Sequence, residues 1–360
     1  MHILNLLIDI FYVFLFSLIF IFIARKAAKK IGLVDAPNYR KKHKGEIPLV
    51  GGIVVFFSIS LALMITYEYI PYKWLYLICS GILVFVGVLD DCFDISIKVR
   101  ASIQAILTFV MVYFTDLTLN NLGYIFGPFQ ITFGTLSYLI TLFVVWGVVN
   151  AFNMVDGIDG LLGGISCVSF SSLGILLYQN NNTALAFWCF AVIAAILPYI
   201  FLNLGLLGNH YKVFMGDAGS TLIGFTIVWL LLMSTQGDNS SIKPVTALWI
   251  IAIPLMDMIA IMYRRLRKGV NPFLPDRQHI HHLIIRSGFT QRQAFILITF
   301  ASAILSGIGI ACESSSFIPE WAILGFFMII FSIYCYCIKH PWKVVRFVKH
   351  VKRLIQHIAK

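Results

Sequence analysis

The apolar residues of this chain fall in long blocks, not at alternating or one-face spacing. The blocks lie at about 3–24, 48–67, 74–89, 101–115, 135–152, 161–178, 184–203, 218–235, 244–263, 294–312 and 320–338. Runs of roughly 16–22 apolar residues have the length a helix needs to cross hydrocarbon, whereas a helix of a soluble core carries a narrow apolar stripe. The pattern predicts an all-α polytopic membrane protein of about 11 transmembrane helices. Two stretches depart from it. Segment 116–134 carries Gly123, Gly127, Pro128 and Gly134 between short β-prone runs, which predicts a small hairpin on the membrane surface. Beyond residue 340, Val344, Val345, Val348, Val351 and Leu354 interleave with Lys343, Arg346, Lys349, Lys352 and Arg353. That spacing suits an interfacial amphipathic helix, and a solvated basic tail accounts for it equally well. The chain accordingly divides into a membrane domain, 1–340, and a basic tail, 341–360.

Charge orients the blocks. Of 27 lysines and arginines, all but Lys73 and Lys243 fall on one side if the N-terminus is outside. The excess of basic residues on cytoplasmic segments then predicts a periplasmic N-terminus, a cytoplasmic C-terminus and inner segments 25–47, 90–100, 153–160, 204–217, 264–293 and 339–360. The same distribution explains the net charge of +11 without a nucleic-acid partner. With 59% hydrophobic and 12% charged residues, the chain is far from the soluble average of about half and about a quarter. The first block lacks a basic leader and a small-residue cleavage site, and Arg25, Lys26, Lys29 and Lys30 follow it, so it reads as a retained helix. Seven scattered cysteines with no C-x-x-C pair read as small buried hydrophobes.

The acids at 90, 91, 94, 156, 159 and 217 all map to inner helix ends, and ionisable groups gathered at one face suggest a reaction site. Asp90-Asp91 closes the third block. Adjacent carboxylates suit a divalent cation, basic side chains or a general base, and capping of the next helix explains them as well. In Asn150-Ala-Phe-Asn153-Met-Val-Asp156-Gly-Ile-Asp159-Gly160, each Asn pair and each Asp pair is three apart, sharing a face on a helical turn. Oxygen ligands without thiolate or imidazole point to Mg²⁺ or Mn²⁺. Phe214-Met-Gly216-Asp217-Ala-Gly219-Ser220 opens the eighth block, where exposed backbone N–H groups could cradle a phosphate. A basic loop follows the ninth block, with Arg264, Arg265 and His279-Ile-His281-His282. Its histidine spacing does not suit zinc, and its donors suit a diphosphate. Lys41, Lys42, His43 and Lys44 precede Pro48-Leu-Val-Gly51-Gly52, and Asp257 follows Pro254 as either a site residue or an anchor for Arg264 or Arg265.

Taken in order, PLVGG, DD, NxxNxxDGxDGL, GDxGS, PxxD…RR and HxHH resemble the polyprenyl-phosphate N-acetylhexosamine-1-phosphate transferase family over residues 1–340, most closely its bacterial members that use UDP-GlcNAc. The resemblance implies an enzyme of the bacterial inner membrane with its active site facing the cytoplasm. It would transfer GlcNAc-1-phosphate from UDP-GlcNAc to undecaprenyl phosphate, giving undecaprenyl-diphospho-GlcNAc and UMP, as a first step of O-antigen-type polysaccharide synthesis. It assigns Asp217 and Asn153 to Mg²⁺, or Mn²⁺. It assigns Asp90, Asp91, Asp156, Asp159 and His279 to catalysis, and Lys44, Asn150, Gly216, Arg265, His281 and His282 to substrate. Cys92 stands where close relatives are expected to carry an arginine, removing one phosphate contact. Family members are often dimers. Transfer from another UDP-N-acetylhexosamine is the near alternative. An ion-coupled transporter is the distant one, because its ionisable groups would lie at the midplane in two related halves.

Overall fold

The computed structural model describes residues 2–36, 45–237, 240–271, 278–315, 317–346 and 348–349. Among them almost every ordered element is an α-helix: α1 (His2–Ile31), α2 (Gly51–Ile65), α3 (Lys73–Phe93), α4 (Ile97–Thr115), α5 (Ser137–Val155), α6 (Leu161–Gln179), α7 (Thr183–Asn203), α8 (Gly216–Thr235), α9 (Pro244–Ile250), α10 (Ala252–Arg267), α11 (Ile280–Arg286), α12 (Gln291–Ser314) and α13 (Glu320–Lys339). The architecture is that of an all-α, multi-pass membrane protein. Nine helices among the described residues are long and apolar enough to cross a bilayer, or ten if a bent pair counts as one. Each predicted block contains a helix, but α2, with 15 residues, falls short of the roughly 20 that a perpendicular span needs.

The ninth block is not the continuous span expected. It breaks at Ile251 into α9 and α10, which meet at 83°. Pro254 is the cause: it has no N–H to return to the Ile250 carbonyl, and its ring crowds that oxygen. The released carbonyls find side-chain donors instead. Ser169 Oγ donates to Ile250 O at 2.9 Å, and Ser306 Oγ donates to Trp249 O at 3.4 Å. An apolar cavity of about 570 Å³ opens beside the break, between α5, α8 and α10.

The expected surface hairpin is reduced to one antiparallel bridge, Asn121 to Thr132. Gln236, at the end of α8, ties that loop down by accepting from the N–H groups of Asn120 and Asn121. A short antiparallel pair that the blocks do not reveal joins β1 (Val34–Asp35) to β2 (Ile47–Pro48). The tail is helical over 341–346, and residues 350–360 lie outside the described residues.

α8 is the axis of the bundle. It is apolar all round, and a helix with no polar face is stable only when enclosed. Trp229 from α8 packs with Tyr76 and Trp188 at centroid separations of 5.5 and 4.6 Å from the tyrosine ring, and all three are fully buried. Its N-terminal half is built of small residues, which bring neighbouring backbones close. A Cβ at Gly52 of α2 would stand on the Gly219 backbone, and one at Gly87 of α3 on that of Ala218.

Gly87→Ala should therefore force α3 and α8 apart and cost about 1–3 kcal/mol, the usual range for overpacking. Gly81→Ala is the control, since its Cβ would meet only the tip of the Phe56 ring at 3.1 Å. Thermal unfolding of the purified protein should show a clear loss for the first and little for the second. Equal melting would mean that the two helices are not in backbone contact.

Candidate functional site

The site is built on backbone before any side chain contributes. Phe214 N–H donates to Pro48 O at 2.9 Å, and the N–H groups of Gly51 and Gly52 donate to Phe214 O and Met215 O at 3.0 Å each. The Pro48–Gly52 motif is thus a strap that holds the entry to α8. Gly216 then adopts φ +75°, a conformation glycine reaches without strain. A Cβ there would run into the Asp91 carboxylate. In its absence Asp91 Oδ1 accepts the Asp217 N–H at 3.0 Å. The start of α8, where the sequence suggested a phosphate cradle, holds a carboxylate of the protein in this structure. The helix N-terminus attracts negative charge, and here a carboxylate of the protein takes that position. The Asp90-Asp91 pair does not cap the helix that follows it either, because Ser96 caps α4.

Around this frame lies a cleft of about 660 Å³. Asp35, Asp90, Asp91, Asp94, Asp156, Asp159 and Asp217 line it, with Asn153, Asn203, Lys212 and Gln291. Donors separate the acids. The Arg100 guanidinium bonds Asp90 and reaches Asp217 Oδ2 at 3.4 Å. Asp94, in the left-handed region at φ 51°, turns the chain tightly enough to bring the first turn of α4 back beside the end of α3. Asn153 Nδ2 donates to Asp217 Oδ1 at 2.6 Å and to Ser220 Oγ at 2.8 Å. Lys212 Nζ donates to Asp159 Oδ2 at 2.6 Å. Asn203 bridges two walls, accepting from Gly160 N–H and donating to Val213 O at 2.8 Å. Asp156 is exposed on the face of the cleft, with protein crowded around it, so its charged form loses part of its hydration. That loss, and then the carboxylates of Asp217, Asp91 and Asp159, push its pKa up to about 7.

The fold thus gathers Asp90, Asp91, Asn153, Asp156, Asp159, Gly216 and Asp217, from three segments distant in sequence, into one cleft. Other candidates stand elsewhere. Asn150 does not line the cleft; its amide turns back along α5 to donate to Trp146 O at 2.7 Å. Arg265 is buried in α10, outside the lining. His279 and His281 are buried behind the cleft, and His281 Nε2 rests against Gly157. Burial, with His282 and His279 beside it, pushes the His281 pKa down to about 3, so its ring is neutral. Asp257 anchors the histidine loop: it accepts from His279 Nδ1 at 2.7 Å and from Ile280 N–H at 3.1 Å. Lys44, with Lys41, Lys42 and His43, lies outside the described residues. The sequence reading did not single out Asp35, Arg100, Asn203 or Lys212. Orientation alone explained the two cations, and an asparagine at a helix end carries no signal. Arg100 supplies a positive charge beside Asp90.

Among the described residues no three acidic, histidine or cysteine side chains converge closely enough to hold an ion as they stand. The chemistry nonetheless fits a hard divalent cation. The donors are all oxygens, Asp91 Oδ2 is buried without a partner, and the Asn153 amide, turned about its terminal bond, presents Oδ1 beside Asp217.

Residues 73–235 match the family described as glycosyl transferase family 4. The chain is 61% identical over 360 residues to an undecaprenyl-phosphate alpha-N-acetylglucosaminyl 1-phosphate transferase of Yersinia pestis, covering 100% of this chain and 99% of that one. Proteins of the same name from Escherichia coli (strain K12) and Haemophilus influenzae are 62% and 51% identical, covering 99% and 98% of this chain and 97% and 100% of theirs.

If the guanidinium holds the acids together, Arg100→Met should destabilise the protein by about 1–2 kcal/mol, a range reduced for partial exposure. Adding Asp90→Asn should recover most of the loss. Denaturation midpoints of the two variants and the parent check this, and an unchanged midpoint in Arg100→Met would contradict it.

Proposed function

The chain belongs to glycosyl transferase family 4, and from that premise we propose that it transfers GlcNAc-1-phosphate from UDP-GlcNAc to undecaprenyl phosphate, releasing UMP. The observation that carries this reading is the acidic cleft at one end of an apolar bundle, where a lipid phosphate at headgroup level can meet a water-soluble nucleotide-sugar. Its volume of about 660 Å³ is in the range of small-molecule sites, roughly 300–1,000 Å³. The lysines and arginines support a cytoplasmic opening in the bacterial inner membrane.

An oxygen of the lipid phosphate attacks the β-phosphorus of UDP-GlcNAc, and the bond between that phosphorus and the UMP oxygen breaks. The sugar's own C–O bond is untouched, so its configuration is retained. Both reactants are anions, so catalysis is chiefly positioning and charge neutralisation. Asp91 presents the unpartnered Oδ2 that accepts the proton of the lipid phosphate. Arg100 and Lys212, each already paired to a cleft aspartate, turn their remaining N–H groups to phosphate oxygens. Asp217 and Asn153 would hold Mg²⁺, which when bound neutralises the diphosphate. The apolar cavity beside the α9–α10 break has the chemistry to hold a polyprenyl chain.

Asp90→Asn and Asp217→Asn should each lower turnover by orders of magnitude while the protein still inserts in membranes. Transfer of label from UDP-GlcNAc into an undecaprenyl-phosphate organic phase measures this; near-normal rates in either variant would remove that residue from the chemistry. Substituting UDP-GalNAc in the same assay tests the sugar.

Asp156 adds a pH dependence. Below about pH 7 it carries a proton and no charge, and above that it contributes a further negative charge to the cleft. Mn²⁺ bound in the absence of substrate should tighten as pH rises from about 6 to 8, with proton release, and Asp156→Asn should flatten that rise. An affinity independent of pH in this window would contradict the role.

A further inference from the structure

Behind the cleft wall, three groups converge on one buried carboxylate that the reaction does not use. Asp257 of α10 is almost completely buried. Its Oδ1 accepts from the Tyr334 hydroxyl of α13 at 2.6 Å and from Ile280 N–H at 3.1 Å, and its Oδ2 faces His279 Nδ1 at 2.7 Å. A carboxylate oxygen accepts, so His279 Nδ1 carries the hydrogen of this bond. The His279 ring lies parallel to that of His281, centroids 5.7 Å apart at 1°. His281 in turn fits against Gly157, a cleft residue between Asp156 and Asp159, at a place where any Cβ would collide with it. An unbroken series of contacts therefore runs from a peripheral helix, far along the chain, to the floor of the acidic cleft.

We propose that Tyr334 is a positioning residue for the nucleotide-sugar side of the cleft, acting through Asp257 to fix the tautomer and orientation of His279 and, through the stacked His281, the wall at Gly157. The proposal rests on the reading of that cleft as a nucleotide-sugar site. With the Tyr334 hydroxyl removed, Oδ1 keeps only the Ile280 N–H, and the less firmly held carboxylate lets the histidine bonded to its other oxygen shift. Tyr334→Phe deletes that single hydroxyl and keeps the ring that packs α13 against the bundle.

Two measurements on the full-length enzyme in membranes test this. In a double-mutant cycle, Tyr334→Phe should lower kcat/KM for UDP-GlcNAc about tenfold in the parent, the scale of one hydrogen bond to a charged group, and less than about twofold in the His279→Asn background. The same factor in both backgrounds, or no effect in the parent, would overturn the proposal, because a packing role for α13 is additive. Independently of turnover, ¹⁵N-histidine-labelled protein should show one Nδ1–H imidazole signal that is lost in His279→Asn and is shifted or broadened in Tyr334→Phe. An unaltered His279 signal in Tyr334→Phe would overturn it. A shifted signal in a protein that transfers no sugar phosphate would uphold the coupling and refute the proposed reaction instead.

Discussion

Seven carboxylates cannot share one cleft at the mouth of an apolar bundle unless donors stand between them, and most of the local structure follows from that requirement. Repulsion among such groups grows as water is removed, and four of the acids meet it with a specific donor. Asp90 has Arg100, Asp91 has the N-terminus of α8, Asp159 has Lys212, and Asp217 has Asn153. Asp156, which has no such donor among the described residues, is pushed to a pKa of about 7. The partners come from α4, α5, α8 and the loop before α8, so the cluster also ties together helices that would otherwise touch only through apolar surface.

That arrangement needs backbones closer than side chains normally allow. The strap from Pro48 to Gly52 and the turn at Gly216 place the start of α8 against the ends of α2 and α3. The glycines are there for approach, and the consequence is electrostatic: a helix terminus becomes the partner of a carboxylate. The break at Pro254 has a comparable effect on the opposite wall, since it sets α10 at a steep angle to α9 and lets Asp257 hold the histidine loop behind Gly157.

The sequence made the helices legible because a bilayer demands long apolar runs, and it made Asp90, Asp91, Asp156, Asp159 and Asp217 legible because acids are rare in such a chain, with Asn153 legible by its spacing from them. It could not show what the acids pair with. Arg100 and Lys212 look like ordinary cytoplasmic cations until the turn at Asp94 and the loop before α8 bring them against aspartates of the cleft. Asn150 seemed equivalent to Asn153 by spacing, but on a continuing helix an asparagine can satisfy itself on the preceding turn, and it does so at Trp146. The glycine-rich start of α8 marked an anion site, and in this structure the anion beside it is Asp91, since exposed N–H groups attract any negative charge.

The most direct measurement is an experimental structure of the protein with UDP-GlcNAc and Mn²⁺, the ion located by its anomalous signal. The account predicts the metal at Asp217 and Asn153, with the diphosphate lying between Asp91 and the cations Arg100 and Lys212. A metal and nucleotide bound away from the aspartates, or at the other end of the bundle, would contradict it.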